Sequence, residues 1–340
     1  MRYKLFGRSG LRVSEICLGT MTFGKEWGWG ADAAESKAQF DAFAEAGGNF
    51  IDTAHMYTEG ASEKLVGEFI AADRDHFVVG TKYTPSTGTD ISKSGNSRKN
   101  MRRCVEDSLR RLKTDNIDVY WLHWWDNTTP LDEIMRGLDD LVSSGKVTYV
   151  AISDTPAWQI SRANMMADLQ GWAPFVGIQV EYSLAERTVE RDLLPMAKEL
   201  DLGITAWSPL AGGVLSGKYN DDSQTAGGRG QAISPRKKEI AKTVVDVARE
   251  VGRSPSQVAL AAIRQQRQFG TIIPIIGART MAQFTDNMAC LDLILDDAHL
   301  ARLDEATKIP LGFPHELLMN PHMRRNSHSG HYDDLDNHRA

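Results

Sequence analysis

Asp52 closes the apolar run Asn49-Phe50-Ile51, and Tyr57 follows five residues later in a glycine-containing loop. Lys82 ends a second such run, Phe77 to Thr81, and His123 ends a third, Ile117 to Leu122. A carboxylate, a phenol, an ammonium and an imidazole in that order suit proton donation by the phenol. Tyrosine ordinarily titrates near ~10, too high to exchange protons readily at neutral pH. A buried ammonium beside the hydroxyl stabilises the phenolate and is expected to lower that value. The lysine needs a counter-charge to stay protonated away from water, and Asp52 can supply it. His123 can offer an N–H to a carbonyl oxygen and polarise it. Each residue alone has a plainer reading: the aspartate caps a turn, the lysine is solvated, the histidine is a satisfied core residue. The functional reading rests on their occurring together.

For these side chains to meet, the runs that carry them must be neighbouring strands ending on one face. A hairpin turning at Ser9-Gly10 comes first. Eight strand candidates follow: Glu15–Gly19, Asn49–Asp52, Phe77–Lys82, Ile117–His123, Val147–Ser153, Val176–Tyr182, Gly203–Ser208 and Thr271–Gly277. They are rich in Val and Ile without strict alternation, as strands buried on both faces should be. The segments between them carry helical stripes, such as Leu131, Ile134, Leu138, Leu141 and Val142 before Gly145, and Cys104, Val105, Leu109 and Leu112. Thr129-Pro130, Thr155-Pro156, Ser234-Pro235 and Ser254-Pro255 predict helix starts with a capping hydroxyl and proline in the first turn. Asp32-x-x-Glu35 predicts a capping box. Eight strands alternating with helices leave a closed (β/α)8 barrel or an open doubly wound sheet. The strand count and the lack of G-x-G-x-x-G after the first strand favour the barrel. The chain exceeds a typical barrel of ~250 residues, and the excess falls in 84–97, 208–234 and 308–340. A single domain spanning 1–340 is expected.

The segments GNFIDTAHMYTEGASEKLVG, VGTK, NIDVYWLHWWD, AISDTP, IQVEYSL, AWSPLAGGVLSGKY and IPIIGARTMAQFTDN, in order over roughly residues 3–305, resemble the aldo-keto reductase superfamily. The resemblance implies a (β/α)8 TIM barrel that binds NADP(H) without a Rossmann domain. It also implies a catalytic tetrad of Asp52, Tyr57, Lys82 and His123, with Tyr57 the general acid for carbonyl reduction. By the same resemblance Trp207 is the aromatic residue that stacks on the nicotinamide, Ser153, Asp154 and Gln179 hold its carboxamide, and Thr20 and Met21 meet its ribose. Ser208, Leu210, Gly212 and Lys218 lie on the loop that wraps the pyrophosphate. Arg279, Gln283 and Asn287 read the adenosine 2′-phosphate and the adenine. Arg279 offers planar donors at the start of a helix whose dipole favours anions, so NADP is expected over NAD. Asp154 stands where that family usually has asparagine, and a carboxylate cannot donate to the carboxamide oxygen. Thr58 follows Tyr57 where glycine is commoner. The segment 308–340 is expected to close over the mouth, as C-terminal segments of the family do.

Composition narrows the remaining classes. Among 340 residues, 41% hydrophobic and 25% charged with a net charge of −6 describe a globular chain with no basic patch for nucleic acid. No run approaches ~18 apolar residues, and the N-terminus lacks the apolar stretch of a signal peptide, so a cytoplasmic, non-membrane protein is expected. Cys17, Cys104 and Cys290 are too widely spaced to suggest disulfides or zinc. Gly212 to Lys218 spells G-x-x-x-x-G-K, but Tyr219 replaces the magnesium-binding hydroxyl, which speaks against a P-loop. His123-x-x-Asp126 lacks a third metal ligand. Five of nine histidines cluster between residues 314 and 338; a solvated, mobile tail is the better reading than a metal site. Trp27, Trp29, Trp124 and Trp125 either line an apolar substrate pocket or fill the rim of the barrel. The expected activity is reversible, NADPH-dependent reduction of an aldehyde or ketone to an alcohol. Alternatives are an NADPH-binding sensor of the same fold with little turnover, and a Schiff-base aldolase using Lys82.

Overall fold

The computed structural model describes residues 1–219 and 233–336. A short antiparallel hairpin opens it, β1 (Tyr3–Leu5) and β2 (Arg12–Ser14). The eight apolar runs form β3 (Cys17–Gly19), β4 (Phe50–Asp52), β5 (Val78–Tyr83), β6 (Ile117–Leu122), β7 (Val147–Ser153), β8 (Phe175–Glu181), β9 (Gly203–Trp207) and β10 (Ile272–Ile276). These close into a parallel barrel in chain order, β10 pairing with both β9 and β3. Around it run α1 (Ala33–Glu45), α2 (Ala61–Phe69), α3 (Arg98–Leu112), α4 (Leu131–Ser143), α5 (Ala157–Gln170) and α6 (Leu193–Glu199). Then come α7 (Pro235–Glu250), α8 (Pro255–Gln265), α9 (Met281–Met288), α10 (Asp297–Thr307), α11 (His315–Met319) and α12 (Pro321–Ser327). The expected barrel with an N-terminal hairpin is the fold.

Side chains alternate along the barrel strands. Ile51, Val79 and Tyr120 face the helices, while Phe50, Val78, Val119 and Trp121 fill the interior. Phe6, just past β1, joins that interior cluster, edge-on to Phe50 at 5.5 Å and to Trp121 at 6.1 Å. Such a packed interior is no pore, so polar residues two positions further along the same strand faces emerge at the C-terminal rim. Asp52 and His123 hold that position past Phe50 and Trp121, and Lys82 lies four positions past Val78 on the same face, with Gly80 between. A second apolar cluster, including Leu215, Val244, Val258 and Leu303, anchors the chain after β9 beneath α7, α8 and α10. The inserted stretch 208–234 is described only outside 220–232, and the tail only to residue 336.

The helix starts depart from expectation in three places. Ser234 and Ser254 do cap α7 and α8, accepting from Lys237 and Gln257 amides. At α4 and α5, however, the prolines themselves occupy the capping position and no side chain caps the helix. Thr129 instead gives its hydroxyl to the Asp126 carboxylate at 2.7 Å, and Thr155 to the Ser153 carbonyl at 2.8 Å. At α1, Asp32 accepts from the Glu35 amide, but Glu35 does not reach back. Its carboxylate crosses to the amide of Met281, the first residue of α9.

Candidate active site

Lys82 is fully buried at the end of β5, and its ammonium is saturated by three acceptors. It donates to Asp52 Oδ2 at 2.5 Å, to the Thr53 carbonyl at 2.8 Å and to the Tyr57 oxygen at 3.1 Å. Asp52, 4% exposed, receives a further hydrogen bond on Oδ1 from Gln179 Nε2 at 2.9 Å. Each ammonium proton and each carboxylate oxygen thus has a partner, which is the condition for keeping such a pair ionised away from water. Because Lys82 donates to the phenol oxygen, the phenol's own hydrogen is free to be given elsewhere. His123 lies beside Tyr57, ring centroids 6.0 Å apart. The four expected residues are therefore brought together.

The charges divide unevenly. Burial pushes Lys82 down, but Asp52 and Tyr57 outweigh it and the ammonium is held above its ordinary range. Burial pushes the Tyr57 phenol up, and the Lys82 charge opposes it without winning; the net direction is upward. The expectation that the lysine would bring the phenol below its usual value is thus corrected for the free chain. The chief reason is burial of the phenol, and Asp52, which keeps Lys82 charged, adds to it by repelling a phenolate. What Lys82 does is limit the rise. Burial and the Lys82 charge together push His123 well below the usual imidazole range, so it is neutral near pH 7.

Tyr57 sits on a turn of unusual backbone. Thr58, Glu59 and Gly60 follow with φ of 44°, 56° and 89°, three left-handed residues in succession. For a β-branched residue such as Thr58 this conformation is uncommon and costs on the order of 1–3 kcal/mol. Its hydroxyl recovers part of that by donating to the Phe23 carbonyl at 2.7 Å and accepting from the Ser62 amide at 3.1 Å. The position where sequence reading noted threonine for glycine is therefore a real left-handed site.

Residues expected to hold the cofactor fall into two groups. At the strand ends, buried Ser153 pairs in register with Gln179, and Trp207, half-buried at the end of β9, donates from Nε1 to Asp154 Oδ1 at 3.1 Å. Asp154, though exposed at the rim, has a left-handed backbone (φ 39°), and partial desolvation by the surrounding protein raises its carboxyl above the ordinary range despite the Trp207 hydrogen bond. Thr20 is fully buried, with its hydroxyl on the Asp52 carbonyl at 3.0 Å and on Ser62 at 2.8 Å, beside half-buried Met21. The second group is open. Ser208 accepts the Gly212 amide at 3.2 Å in a turn that continues past Leu210; Gly212 has φ 65°, and a Cβ there would meet nothing within 4 Å. Lys218 and Arg279 are exposed and form no ion pair with a described residue. Gln283 accepts the Arg279 amide at 3.1 Å, Thr280 caps α9, and Asn287 is buried one turn further on. An indole face, an open glycine backbone and unpaired cations fit a dinucleotide phosphate.

Sequence reasoning missed the link between Gln179 and Asp52, residues 127 positions apart. The only signal was that Gln179, too, ends a barrel strand. Of the four tryptophans, Trp27 meets Tyr57 edge-on at 6.3 Å and Trp29 lies 5.7 Å from Trp27. Trp124 lies 4.8 Å from His123, whereas Trp125 turns to Trp158 at 5.8 Å. Residues 316–336 are exposed throughout, and their histidines bond within the tail, as His331 does to Asp334 at 2.8 Å. Among the described residues no cluster of three His, Cys, Asp or Glu could hold a metal ion, and no helix is long and apolar enough to cross a membrane.

Comparison with known proteins extends this pattern beyond the chain itself. Residues 15–308 match the Aldo/keto reductase family. The aryl-alcohol dehydrogenase [NADP(+)] of Phanerodontia chrysosporium is 35% identical over 351 aligned positions, which cover 95% of this chain and 91% of that protein. The norsolorinic acid reductase of Aspergillus flavus is 35% identical, covering 92% and 83%. Norsolorinic acid reductase B of Dothistroma septosporum is 36% identical, covering 94% and 84%.

Proposed function

The chain belongs to the aldo/keto reductase family, and from that premise we propose that it reversibly reduces an aromatic aldehyde or ketone with NADPH, Tyr57 supplying the proton. The observation that carries this reading is the Lys82 ammonium, bound to Asp52 and donating to the phenol oxygen at 3.1 Å. In that arrangement the phenol keeps its proton at neutral pH, points it away from the lysine, and becomes a phenolate beside a positive charge once the proton has gone. Lys82 and Asp52 act on the phenol and need no contact with substrate.

When bound, NADPH supplies the hydride. The carbonyl oxygen must then gain a proton as its carbon is reduced, and Tyr57 is the donor. His123 polarises the same oxygen. Its Nδ1 is buried with no hydrogen-bond partner among the described residues, which leaves Nε2 to meet the oxygen, and this role takes the tautomer with the N–H on Nε2. A neutral imidazole gives that hydrogen bond without surrendering a proton, leaving the transfer to Tyr57. In the reverse direction the phenolate takes the alcohol proton, again beside Lys82. Gln179 spends its amide N–H on Asp52 and retains its carbonyl oxygen for a carboxamide N–H, a role Asp154 can share as an acceptor. Trp207 offers the stacking face, Gly212 and Lys218 the pyrophosphate contacts, and Arg279 the fork for a 2′-phosphate.

Trp27 at the Tyr57 ring and Trp124 at the His123 ring support a flat aromatic substrate, because aromatic faces stack without demanding hydrogen-bond partners. The names of the relatives, aryl-alcohol dehydrogenase and norsolorinic acid reductase, point the same way. We include in this reading that the segment 308–340 closes over the mouth. The test is NADPH consumption, followed by absorbance, across aromatic and aliphatic aldehydes and ketones. Turnover with aromatic aldehydes exceeding that with aliphatic ones is expected. Tight NADPH binding without turnover on any carbonyl would overturn the reading and describe a cofactor sensor.

A further inference from the structure

The phenol of Tyr57 is carried by a segment that the barrel secures only at its start. After β4, the Thr53 amide still bonds the Gly80 carbonyl at 2.8 Å and the His55 amide the Lys82 carbonyl at 3.1 Å. Beyond His55 the backbone bonds of the segment run only to itself, Tyr57 to Ala54 at 3.0 Å and Glu59 to Met56 at 3.1 Å, and the three left-handed residues follow. Strained backbone persists only where its surroundings over-determine it. The hydroxyl of Thr58 is one constraint. The other comes from α3, on the outer side of the barrel.

Arg111, in the last turn of α3, donates from Nη1 to the His55 carbonyl at 2.8 Å and to Glu63 Oε2 at 3.0 Å. Glu63 is fully buried, and its other oxygen accepts the Thr81 hydroxyl at 2.7 Å. Thr81 is the residue before Lys82. The guanidinium also lies flat beneath Gly60: a Cβ there would stand 2.5 Å from Arg111 Cζ, so only glycine fits. One guanidinium therefore touches both ends of the turn that holds Tyr57, and through Glu63 it is bonded to the strand that holds Lys82.

We propose that Arg111 is a positioning residue for proton transfer, holding the Tyr57 turn and the Lys82 strand in a fixed relation through His55, Gly60, Glu63 and Thr81. A guanidinium suits this where an ammonium does not, since its plane supports Gly60 while one edge reaches two acceptors. The proposal rests on Tyr57 being the proton donor. It differs from a purely structural role for an ion pair between α2 and α3, which would alter stability but leave the phenol's chemistry alone.

The test compares Arg111→Met, Arg111→Lys and the double variant Arg111→Met/Glu63→Gln with the wild-type full chain. The double variant removes the charge that the single one leaves buried and alone, so it keeps the test valid if Arg111→Met fails to fold. Readouts are NADPH affinity by fluorescence titration, kcat and KM for an aromatic aldehyde, and the pH profile of kcat. The expected result is NADPH affinity within about twofold of wild type, since Arg111 bonds to none of the residues proposed to hold the cofactor, and a kcat lower by roughly tenfold to a hundredfold, the scale of an ångström of misplacement. The pH profile should shift in its alkaline limb, and Arg111→Lys should recover only part of kcat. A wild-type kcat and pH profile in a variant that merely melts earlier would overturn the proposal, as would a parallel loss of NADPH affinity and kcat. Tyr57→Phe, run alongside, separates the two readings. If it turns over like wild type the acid assignment fails; if it is inactive while the Arg111 variants are normal, only the positioning role fails.

Discussion

Around Lys82 each charged atom has its partner inside the protein, whereas Arg279 and Lys218 are exposed and form no ion pair with a described residue, Lys218 resting only over the Tyr219 ring at 4.7 Å. Both regions belong to one proposed pocket, and the contrast separates two tasks. Proton transfer needs fixed geometry in a dry place, so its ions must be completed by the chain before any ligand arrives. Phosphate capture needs cations and open backbone that the ligand itself completes, and the empty surroundings of Gly212 suit the role proposed for it. The first arrangement is built into the core; the second adds little to stability and can be altered at small structural cost.

Changing the exposed half should therefore affect affinity alone. Arg279→Ala is expected to weaken NADP binding by about tenfold or more, the scale of a charge-assisted hydrogen bond, while NAD binding and the melting temperature stay near wild type. Equal losses for both cofactors, measured by titration, would remove Arg279 as the phosphate reader.

A smaller effect tests the buried half. His123 is held neutral well below the usual imidazole range, so below about pH 6.5 the unfolded chain takes up a proton that the folded chain refuses. The stability this site contributes is present above that pH and is lost as pH falls, by at most about 1.4 kcal/mol per pH unit for one proton. His123→Gln should flatten part of the loss between pH 7.5 and 5.5 in urea midpoints. Part will remain, because His55 is shifted down in the same way by burial. An unchanged slope would mean that His123 is not sealed from water.

What could be read in the sequence follows the range of the interactions involved. The eight strands were legible because burial on both faces leaves unbroken Val- and Ile-rich runs. Asp52, Lys82 and His123 were legible because strand alternation carries a polar terminal residue to the rim. The bond from Gln179 to Asp52 was not, since nothing local joins β8 to β4 across the barrel. Thr129 and Thr155 misled as caps because nearer acceptors, Asp126 and the Ser153 carbonyl, took their hydroxyls. Glu35 misled in the same way, crossing to α9. The upward direction of the Tyr57 phenol was not legible, because it follows from how deeply the fold buries the hydroxyl, which outweighs the Lys82 charge beside it. Arg111 reads in sequence as one more basic residue on a surface helix, and only the fold brings Gly60 onto it.

The central claim is that the phenol of Tyr57 is the proton source, readied by an ammonium that the chain has already paired. The most direct measurement is a single turnover of Tyr57→Phe preloaded with NADPH and mixed rapidly with an aromatic aldehyde. Removing one hydroxyl should leave NADPH affinity within about twofold of wild type and slow NADPH oxidation by roughly 10²–10⁴-fold, the usual share of a positioned acid. Oxidation within tenfold of the wild-type rate would contradict the account.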